Sequence, residues 1–238
     1  MMPLCIVLDL DDTLFLERDY VRSGFGAVGK WAYERFHIGD FAERAYQNFE
    51  CGRRGDIFNA VLRECNCEPG PDDIQAMVRV YRKHYPIISL LPDAAEFLSR
   101  FRGVARMALI SDGPLESQRR KFSALHLKDF FDFVVFTDIW GAAFAKPHPR
   151  AFQLIQHRLG TSKLRYIYVA DNPYKDFDAP LALNWQTIRI RRAEGIYSLH
   201  QPSGAASTEL EVSDLKELTD ILLSGSHPFR RSTSALPA

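Results

Sequence analysis

The apolar stretch Leu4-Cys5-Ile6-Val7-Leu8 runs directly into Asp9-Leu10-Asp11-Asp12-Thr13-Leu14, so that three acids follow it almost at once. A continuous apolar run of this length predicts a strand that is buried on both faces, as in a parallel sheet. Carboxylates on one short loop beside a buried strand repel each other unless a cation lies between them. The junction therefore predicts a buried strand followed by a loop that carries chemistry.

The remainder of the chain indicates an α/β fold. Four more apolar stretches are predicted strands, at 105–110, 133–136, 166–170 and 187–190, with helices of about ten residues between them. Strands that alternate with helices in this way predict βαβ units and a parallel sheet. About 95 residues separate the first two strands, whereas a crossover needs only a dozen or more. The excess, with apolar residues at helical spacing, predicts a helical insert directly after the first strand.

Composition narrows the class of protein. The 238 residues are 46% hydrophobic and 25% charged, which is typical of a soluble globular protein, and 30 basic residues balance 30 acidic ones. The zero net charge gives no reason to expect nucleic acid or membrane as a partner. We interpret the four cysteines, including the Cys65-Asn66-Cys67 pair, as plain thiols in a reducing cytoplasm, and the N-terminus as a strand and not a signal peptide. The oligomeric state is left open.

Four polar clusters follow predicted strands and are expected to meet at one sheet edge, where open parallel sheets bind ligands. They are Asp9/Asp11/Asp12/Thr13, Ser111/Asp112/Gly113, Lys146-Pro147 and Asp171/Asp176. Crowded carboxylates favour a hard cation such as Mg²⁺. A hydroxyl, main-chain amides and a lysine suit phosphate, so that Ser111, Asp112, Gly113 and Lys146 are candidate phosphate ligands. The pattern indicates metal-assisted phosphoryl transfer.

In these four clusters the sequence resembles the haloacid-dehalogenase superfamily, in its phosphatase branch. The match, over roughly residues 3–192, runs in order through Asp9-Leu10-Asp11-Asp12-Thr13, Ser111, Lys146-Pro147 and Asp171 with Asp176. One departure is Ala170, where many members have glycine, and it puts no catalytic role in doubt. The resemblance implies a Rossmann-like core with helices on both faces (residues 1–15 and 90–223) and an inserted helical cap of the C1 type (16–89). We expect the tail at 224–238 to be disordered.

The resemblance also implies a role for each matching residue. Asp9 is the nucleophile that becomes an aspartyl phosphate, and Asp11 protonates the leaving oxygen and then activates water. Ser111 and Lys146 hold the phosphoryl oxygens. Mg²⁺ binds to Asp9, the main-chain carbonyl of Asp11, and Asp171. Asp176 supports this set and Thr13 shapes the loop, whereas Asp12 is interpreted as a structural or capping acid.

The cap is expected to select the substrate, but its sequence says little about how. Arg22, Arg53 and Arg54 are candidate substrate contacts, with a solvated helix face as the alternative. Trp31 and Tyr46 are more simply interpreted as core residues than as stacking platforms. Lys121 is a candidate partner for an acid such as Asp176.

Asp11 favours phosphate chemistry over carbon–halogen cleavage, because dehalogenases of the superfamily have no acid at that position. The preferred function is a magnesium-dependent phosphatase acting on a small phosphorylated metabolite, such as a sugar phosphate or nucleotide. A phosphosugar mutase on the same scaffold and a catalytically weak binding protein are the alternatives.

Overall fold

The computed structural model describes residues 3–160, 164–201, 208 and 210–224. They divide into two compact units. The first unit comprises the described residues within 1–16, 90–113 and 128–238, and the second comprises 17–89 with 114–127. Of the predicted disordered tail, only Ser224 belongs to the described residues.

The first unit contains a parallel sheet, as predicted. Its strands in the described residues, in chain order, are β1 (Leu4–Leu8), β2 (Arg106–Ser111), β3 (Phe133–Phe136), β4 (Arg165–Ala170), β5 (Gln186–Ile190) and β6 (Leu210–Val212). All neighbours pair in parallel, in the spatial order β3-β2-β1-β4-β5-β6. The α/β prediction is confirmed, and β6 is an additional edge strand whose three residues are too few to show a pattern.

Helices connect these strands and form the second unit. In chain order they are α1 (Glu17–Phe36), α2 (Phe41–Glu50), α3 (Ile57–Glu64), α4 (Asp73–Lys83), α5 (Pro92–Phe101), α6 (Leu115–Ala124), α7 (Arg150–Leu159), α8 (Asp178–Ala182) and α9 (Leu215–Leu223). Helices α5, α7, α8 and α9 belong to the first unit, and α1–α4 and α6 belong to the second. None of the helices in the described residues combines the length and apolar character that crossing a bilayer requires.

Strand β1 lies in the middle of the sheet because its residues can be buried on both faces. Cys5, Ile6, Val7 and Leu8 have no exposed surface. On one face, Cys5 and Val7 belong to a core formed with residues of β2, β4 and α7, among them Ile110, Tyr168 and Phe152. Leu8 is in register with Leu109 on one side and Val169 on the other. The three strands therefore end together, and the residues that follow them emerge at one edge.

The second unit has an aromatic core. The ring of Phe25 on α1 contacts those of Phe49, Phe58 and Tyr81 at centroid distances of 6.4, 6.1 and 5.6 Å. Gly24 lets Tyr81 approach α1 closely, since a Cβ at this position would lie 2.4 Å from Cε2 of Tyr81. Absence of a side chain at Gly24 is therefore a packing requirement of this core.

Helix α6 packs with the second unit, whereas the sequence-based division placed residues 90–223 in the core. The hydroxyl of Ser117 on α6 donates a hydrogen bond to the carbonyl of Arg82 on α4, at 3.2 Å. Chain order places α6 between β2 and β3, but its packing partners assign it to the helical unit. The predicted cap boundaries at 16 and 89 remain an interpretation of the sequence.

Candidate active site

Carboxylates and a hydroxyl converge at the carboxyl ends of the three central strands of the first unit. Asp9 follows β1, Ser111 ends β2 and Asp171 follows β4. Their exposed fractions are 5%, 0% and 9%. The amide of Asp9 donates to the carbonyl of Val169 at 2.9 Å, which continues the sheet pairing past β1 and holds the Asp9 main chain against β4.

Lys146 joins two of the acids. Its ammonium nitrogen lies 2.7 Å from Oδ1 of Asp9, 2.7 Å from Oδ1 of Asp176 and 3.0 Å from the hydroxyl of Tyr168. The side chains of Lys146 and Asp176 are fully buried. The lysine lies in the loop between β3 and α7, and the Lys146–Pro147 peptide bond is cis. This loop brings the third predicted cluster back to the sheet edge.

Burial and crowding set the charges of this group. Burial is the main cause that raises the pKa of Asp9 to about 6, although Lys146 opposes the shift. Burial, followed by repulsion from Asp176 and Asp9, raises the pKa of Asp171 well above its usual range. Burial opposes the charge of Lys146, but Asp176 and Asp9 raise the pKa of this lysine well above its usual range. The lysine is therefore charged, and the carboxylates are short of positive partners.

The same carboxylates form a candidate metal site. One oxygen from each of Asp9, Asp171 and Asp176 lies within 4.8 Å of the others. A buried cluster of hard oxygen donors with excess negative charge fits Mg²⁺. Sequence reasoning gave Asp176 only a supporting role, whereas the structure groups its carboxylate with those of Asp9 and Asp171.

Asp112 follows β2 as predicted, and its carboxylate makes contacts that the sequence did not indicate. Its Oδ1 accepts hydrogen bonds from the Thr137 hydroxyl at 2.7 Å and the Lys146 amide at 3.2 Å, and its Oδ2 lies 2.9 Å from Nζ of Lys175. Burial raises the pKa of Asp112, but Lys146 and Lys175 outweigh it and hold this pKa below its usual range. The Asp112 carboxylate is therefore a charged acceptor, and the group of this residue that can donate a hydrogen bond to a phosphate oxygen is its main-chain amide.

The predicted cluster around Ser111 also includes Gly113. Gly113 has φ of +112°, a conformation that residues with side chains rarely adopt, so the turn after β2 depends on glycine. Ser111 is fully buried. Both residues therefore stand where the sequence placed them, directly at the end of β2.

Residues that follow β5 hold the loop after β1 in place. Asp12 adopts φ of +52°, and its Oδ2 accepts a hydrogen bond from the amide of Ile196 at 2.8 Å. The carbonyl of Thr13 accepts two hydrogen bonds from the Arg192 guanidinium, at 3.0 and 2.7 Å. Arg192 also pairs with Asp93 at 2.9 Å. Asp12 thus has a structural contact, and Asp11, which directly precedes it, is half-buried.

The candidate substrate contacts of the cap lie in the second unit and are engaged there. The guanidinium of Arg22 stacks over the ring of Tyr46 at 4.6 Å. Arg53 pairs with Asp56 at 3.1 Å. Arg54 donates to the carbonyl of Phe49 at 2.8 Å. All three arginines are solvent-exposed, so their role in substrate binding remains a prediction.

The other residues considered for the cap have aromatic neighbours. Trp31 packs edge-on against Phe36 at 5.6 Å. The ammonium of Lys121 lies 4.0 Å from the ring centroid of Tyr20, and this lysine is buried. These contacts fit packing roles within the helical unit.

Sequence reasoning missed three residues of this site, namely Thr137, Tyr168 and Lys175. Tyr168 lies within a strand and could be taken for a core residue. Thr137 belongs to a short 3₁₀ turn after β3. Lys175 is adjacent to Asp176 in the sequence, and this proximity to a motif acid was the one signal available.

Comparison with known proteins identifies relatives of this chain. The sequence model of a family described as haloacid dehalogenase-like hydrolase matches residues 4–183. Pyrimidine 5'-nucleotidase YjjG of Escherichia coli (strain K12) is 28% identical over 170 residues, which is 69% of each protein. The glyceraldehyde 3-phosphate phosphatase of Methanocaldococcus jannaschii is 24% identical over 234 residues, covering 91% of this chain and 96% of that protein.

Solved structures share the fold. YfnB from Bacillus subtilis, whose structure contains magnesium, superimposes with a TM-score of 0.66 at 17% identity, covering 93% of this chain and 99% of that one. The L-2-haloacid dehalogenase from Xanthobacter autotrophicus gives a TM-score of 0.63 at 20% identity, with coverages of 95% and 100%. At these identities the likeness concerns the fold alone.

Proposed function

Because this chain belongs to the haloacid dehalogenase-like hydrolases, we propose that it is a magnesium-dependent phosphatase that acts on a small phosphorylated metabolite through an aspartyl phosphate on Asp9. The observation that carries this proposal is the buried group in which Lys146 lies 2.7 Å from both Asp9 and Asp176, with an oxygen of Asp171 within 4.8 Å of oxygens of both acids. Phosphoryl transfer needs this combination of a carboxylate nucleophile and fixed positive charge.

Each step can be assigned to a residue of the first unit. With its pKa raised only to about 6, Asp9 is mostly ionised at neutral pH, so its carboxylate can attack phosphorus as the bond to the leaving oxygen breaks. Asp11 gives its proton to that oxygen, which departs as an alcohol. Asp11 then removes a proton from the water that hydrolyses the aspartyl phosphate. Ser111 and the amides of Asp112 and Gly113 bind the phosphoryl oxygens.

Asp9 and Asp171 would hold Mg²⁺, together with the carbonyl of Asp11 and with Asp176 beside them. When bound, the ion neutralises charge on the phosphoryl group. The fit rests on three buried acids whose oxygens lie within 4.8 Å of one another. The two lysines near these acids do not balance the charge once a phosphate dianion enters as well.

The class of substrate is supported by the relatives, which are named as a pyrimidine 5'-nucleotidase and a glyceraldehyde 3-phosphate phosphatase. Asp11 supports a phosphate ester over a halogenated acid, since an alkoxide leaving group needs a proton. We therefore propose a phosphomonoester of a small alcohol, such as a sugar phosphate or nucleotide, as the substrate.

A phosphate-release screen tests this function. The purified protein is incubated with a panel of phosphorylated metabolites with and without Mg²⁺, alongside Asp9→Asn and the control Asp220→Asn, which alters an exposed acid of the same unit. We expect Mg²⁺-dependent release by the wild type and the control, and none by Asp9→Asn. Isomerised sugar phosphate with little free phosphate would indicate a mutase instead. A folded protein that releases no phosphate from any compound would contradict the proposal.

A further inference from the structure

We propose that Lys175 is a second phosphate-binding cation of this site and that Asp112 positions it; this inference rests on the proposed phosphatase function. Neither the Lys175 side chain nor the Asp112 carboxylate has a role in the four sequence motifs. Together they form an ion pair of 2.9 Å between Nζ of Lys175 and Oδ2 of Asp112.

The place of this pair in the sheet carries the inference. Asp112 follows β2 directly, and Lys175 lies in the loop after β4. Strand β1, which ends at Leu8 just before Asp9, lies between β2 and β4. An ion pair between the ends of the two flanking strands therefore spans the carboxyl end of β1. This brings the ammonium of Lys175 to the sheet edge at which a phosphoryl group must approach Asp9.

All three hydrogen-bond donors of the Lys146 ammonium group already have partners. An ammonium group has three donors, and those of Lys146 have three partners, Asp9 and Asp176 at 2.7 Å each and the Tyr168 hydroxyl at 3.0 Å. An entering phosphate can engage Lys146 only by displacing one of these partners. Lys146 therefore binds an entering phosphate only at the expense of a contact that it already makes, which leaves room for a second cation.

The ammonium group of Lys175 can donate further hydrogen bonds. In the part of the chain that the structure describes, Asp112 is its one hydrogen-bonding partner, and its side chain is 33% exposed. Two of its three donors therefore remain for water or a ligand. A phosphate oxygen could bind there without breaking the ion pair to Asp112, because the ammonium can donate to both.

Asp112 is anchored well enough to position this lysine. Its Oδ1 is held by the Thr137 hydroxyl and by the amide of Lys146, from two separate segments. With Oδ1 fixed, Oδ2 presents a rigid acceptor to Lys175. Its side chain is only 11% exposed, so this contact is less screened by water than an ordinary surface pair.

Binding of inorganic phosphate tests the inference. The affinity of the Mg²⁺-loaded protein for phosphate is measured by calorimetry and as product inhibition, together with kcat and KM on the best substrate of the screen. The variants are Lys175→Met, Lys175→Arg and Asp112→Asn, and the control is Lys216→Met, an exposed lysine that also pairs with an acid. Melting temperatures show whether each variant is folded.

We expect Lys175→Met to weaken phosphate binding at least tenfold and to raise KM, while Lys175→Arg restores part of the affinity. Asp112→Asn keeps an acceptor for Thr137 but loses the charge that holds Lys175, so it should give an intermediate loss. If Lys175→Met does not fold, the inference is tested with Lys175→Arg and Asp112→Asn, by the same measurements of phosphate affinity and KM. Wild-type affinity in folded Lys175 and Asp112 variants would overturn the inference. A wild-type protein that binds no phosphate would instead overturn the proposed function, and this inference with it.

Discussion

The ammonium nitrogen of Lys146 lies 2.7 Å from a carboxylate oxygen of Asp9, although 137 residues separate them in the sequence. Both side chains are nearly inaccessible, with exposed fractions of 0% and 7%. Without this cation, burial and the neighbouring acids would raise the pKa of Asp9 further and so favour its protonated form. The contact therefore keeps the proposed nucleophile ionised.

Replacing Lys146 by methionine should abolish most of the activity. The substitution keeps an unbranched apolar side chain of nearly the same length but leaves Asp9 and Asp176 buried without their cation. Loss of a fixed charge at a site of phosphoryl transfer costs roughly 100- to 1,000-fold in kcat. The measurement is kcat at saturating substrate, with Lys216→Met as a control. Equal loss in both variants would show that the effect is not local.

Binding of Mg²⁺ should weaken as the pH falls through about 6. Burial raises the pKa of Asp9 to about 6 and that of Asp171 well above its usual range, so protons compete with the metal there. Below that pH Asp9 is mostly protonated, and above it the Asp9 carboxylate is available as a ligand. Calorimetric titrations in buffers of different ionisation enthalpy should show proton release on binding near pH 6. Mg²⁺ affinity that stays constant between pH 5 and 8 would contradict this assignment.

Two glycines of α1 should respond in opposite directions to alanine. A Cβ at Gly24 would lie 2.4 and 2.6 Å from ring atoms of Tyr81, which the aromatic core holds in place. Overpacking of this kind costs about 1–3 kcal/mol. A Cβ at Gly26 meets nothing within 4 Å, so Gly26→Ala should stabilise the helix by up to about 1 kcal/mol. Thermal or urea unfolding measures both, and equal effects would contradict the packing described for Gly24.

Arg192 should be important for stability, although it lies outside the residues that the family model matches. Its guanidinium joins Asp93 to the carbonyl of Thr13 and is 7% exposed. Arg192→Met leaves a half-buried carboxylate and a buried carbonyl without this donor, at a cost of roughly 1–3 kcal/mol. The matched control is Arg191→Met, whose partner Glu211 is 43% exposed. A similar, small change in unfolding free energy for both variants would be inconsistent with anchoring of the Thr13 loop by Arg192.

The parallel sheet and the convergence of Asp9, Ser111 and Asp171 could be predicted because both depend on local patterns, whereas Lys146, in a loop well beyond β3, was included through the family motif that it matches. Apolar runs define the strands, and the residue after each parallel strand must emerge at the same edge. The ion pair of Lys175 with Asp112 could not be predicted in this way, since it depends on the spatial order of strands that are distant in the sequence. Likewise, the sequence of α6 does not reveal that its packing partner is α4.

Detection of an aspartyl phosphate on Asp9 tests the proposed function most directly. In Asp11→Asn the water that hydrolyses the intermediate lacks its base, so the phosphoenzyme should accumulate when Mg²⁺ and an aryl phosphate such as p-nitrophenyl phosphate, whose leaving group departs without a proton from Asp11, are added. Mass spectrometry of acid-quenched protein should then find one phosphoryl group on the peptide containing Asp9, and none in Asp9→Asn. A phosphoryl group on another residue, or rapid phosphate release by Asp9→Asn, would contradict the assignment of Asp9 as nucleophile.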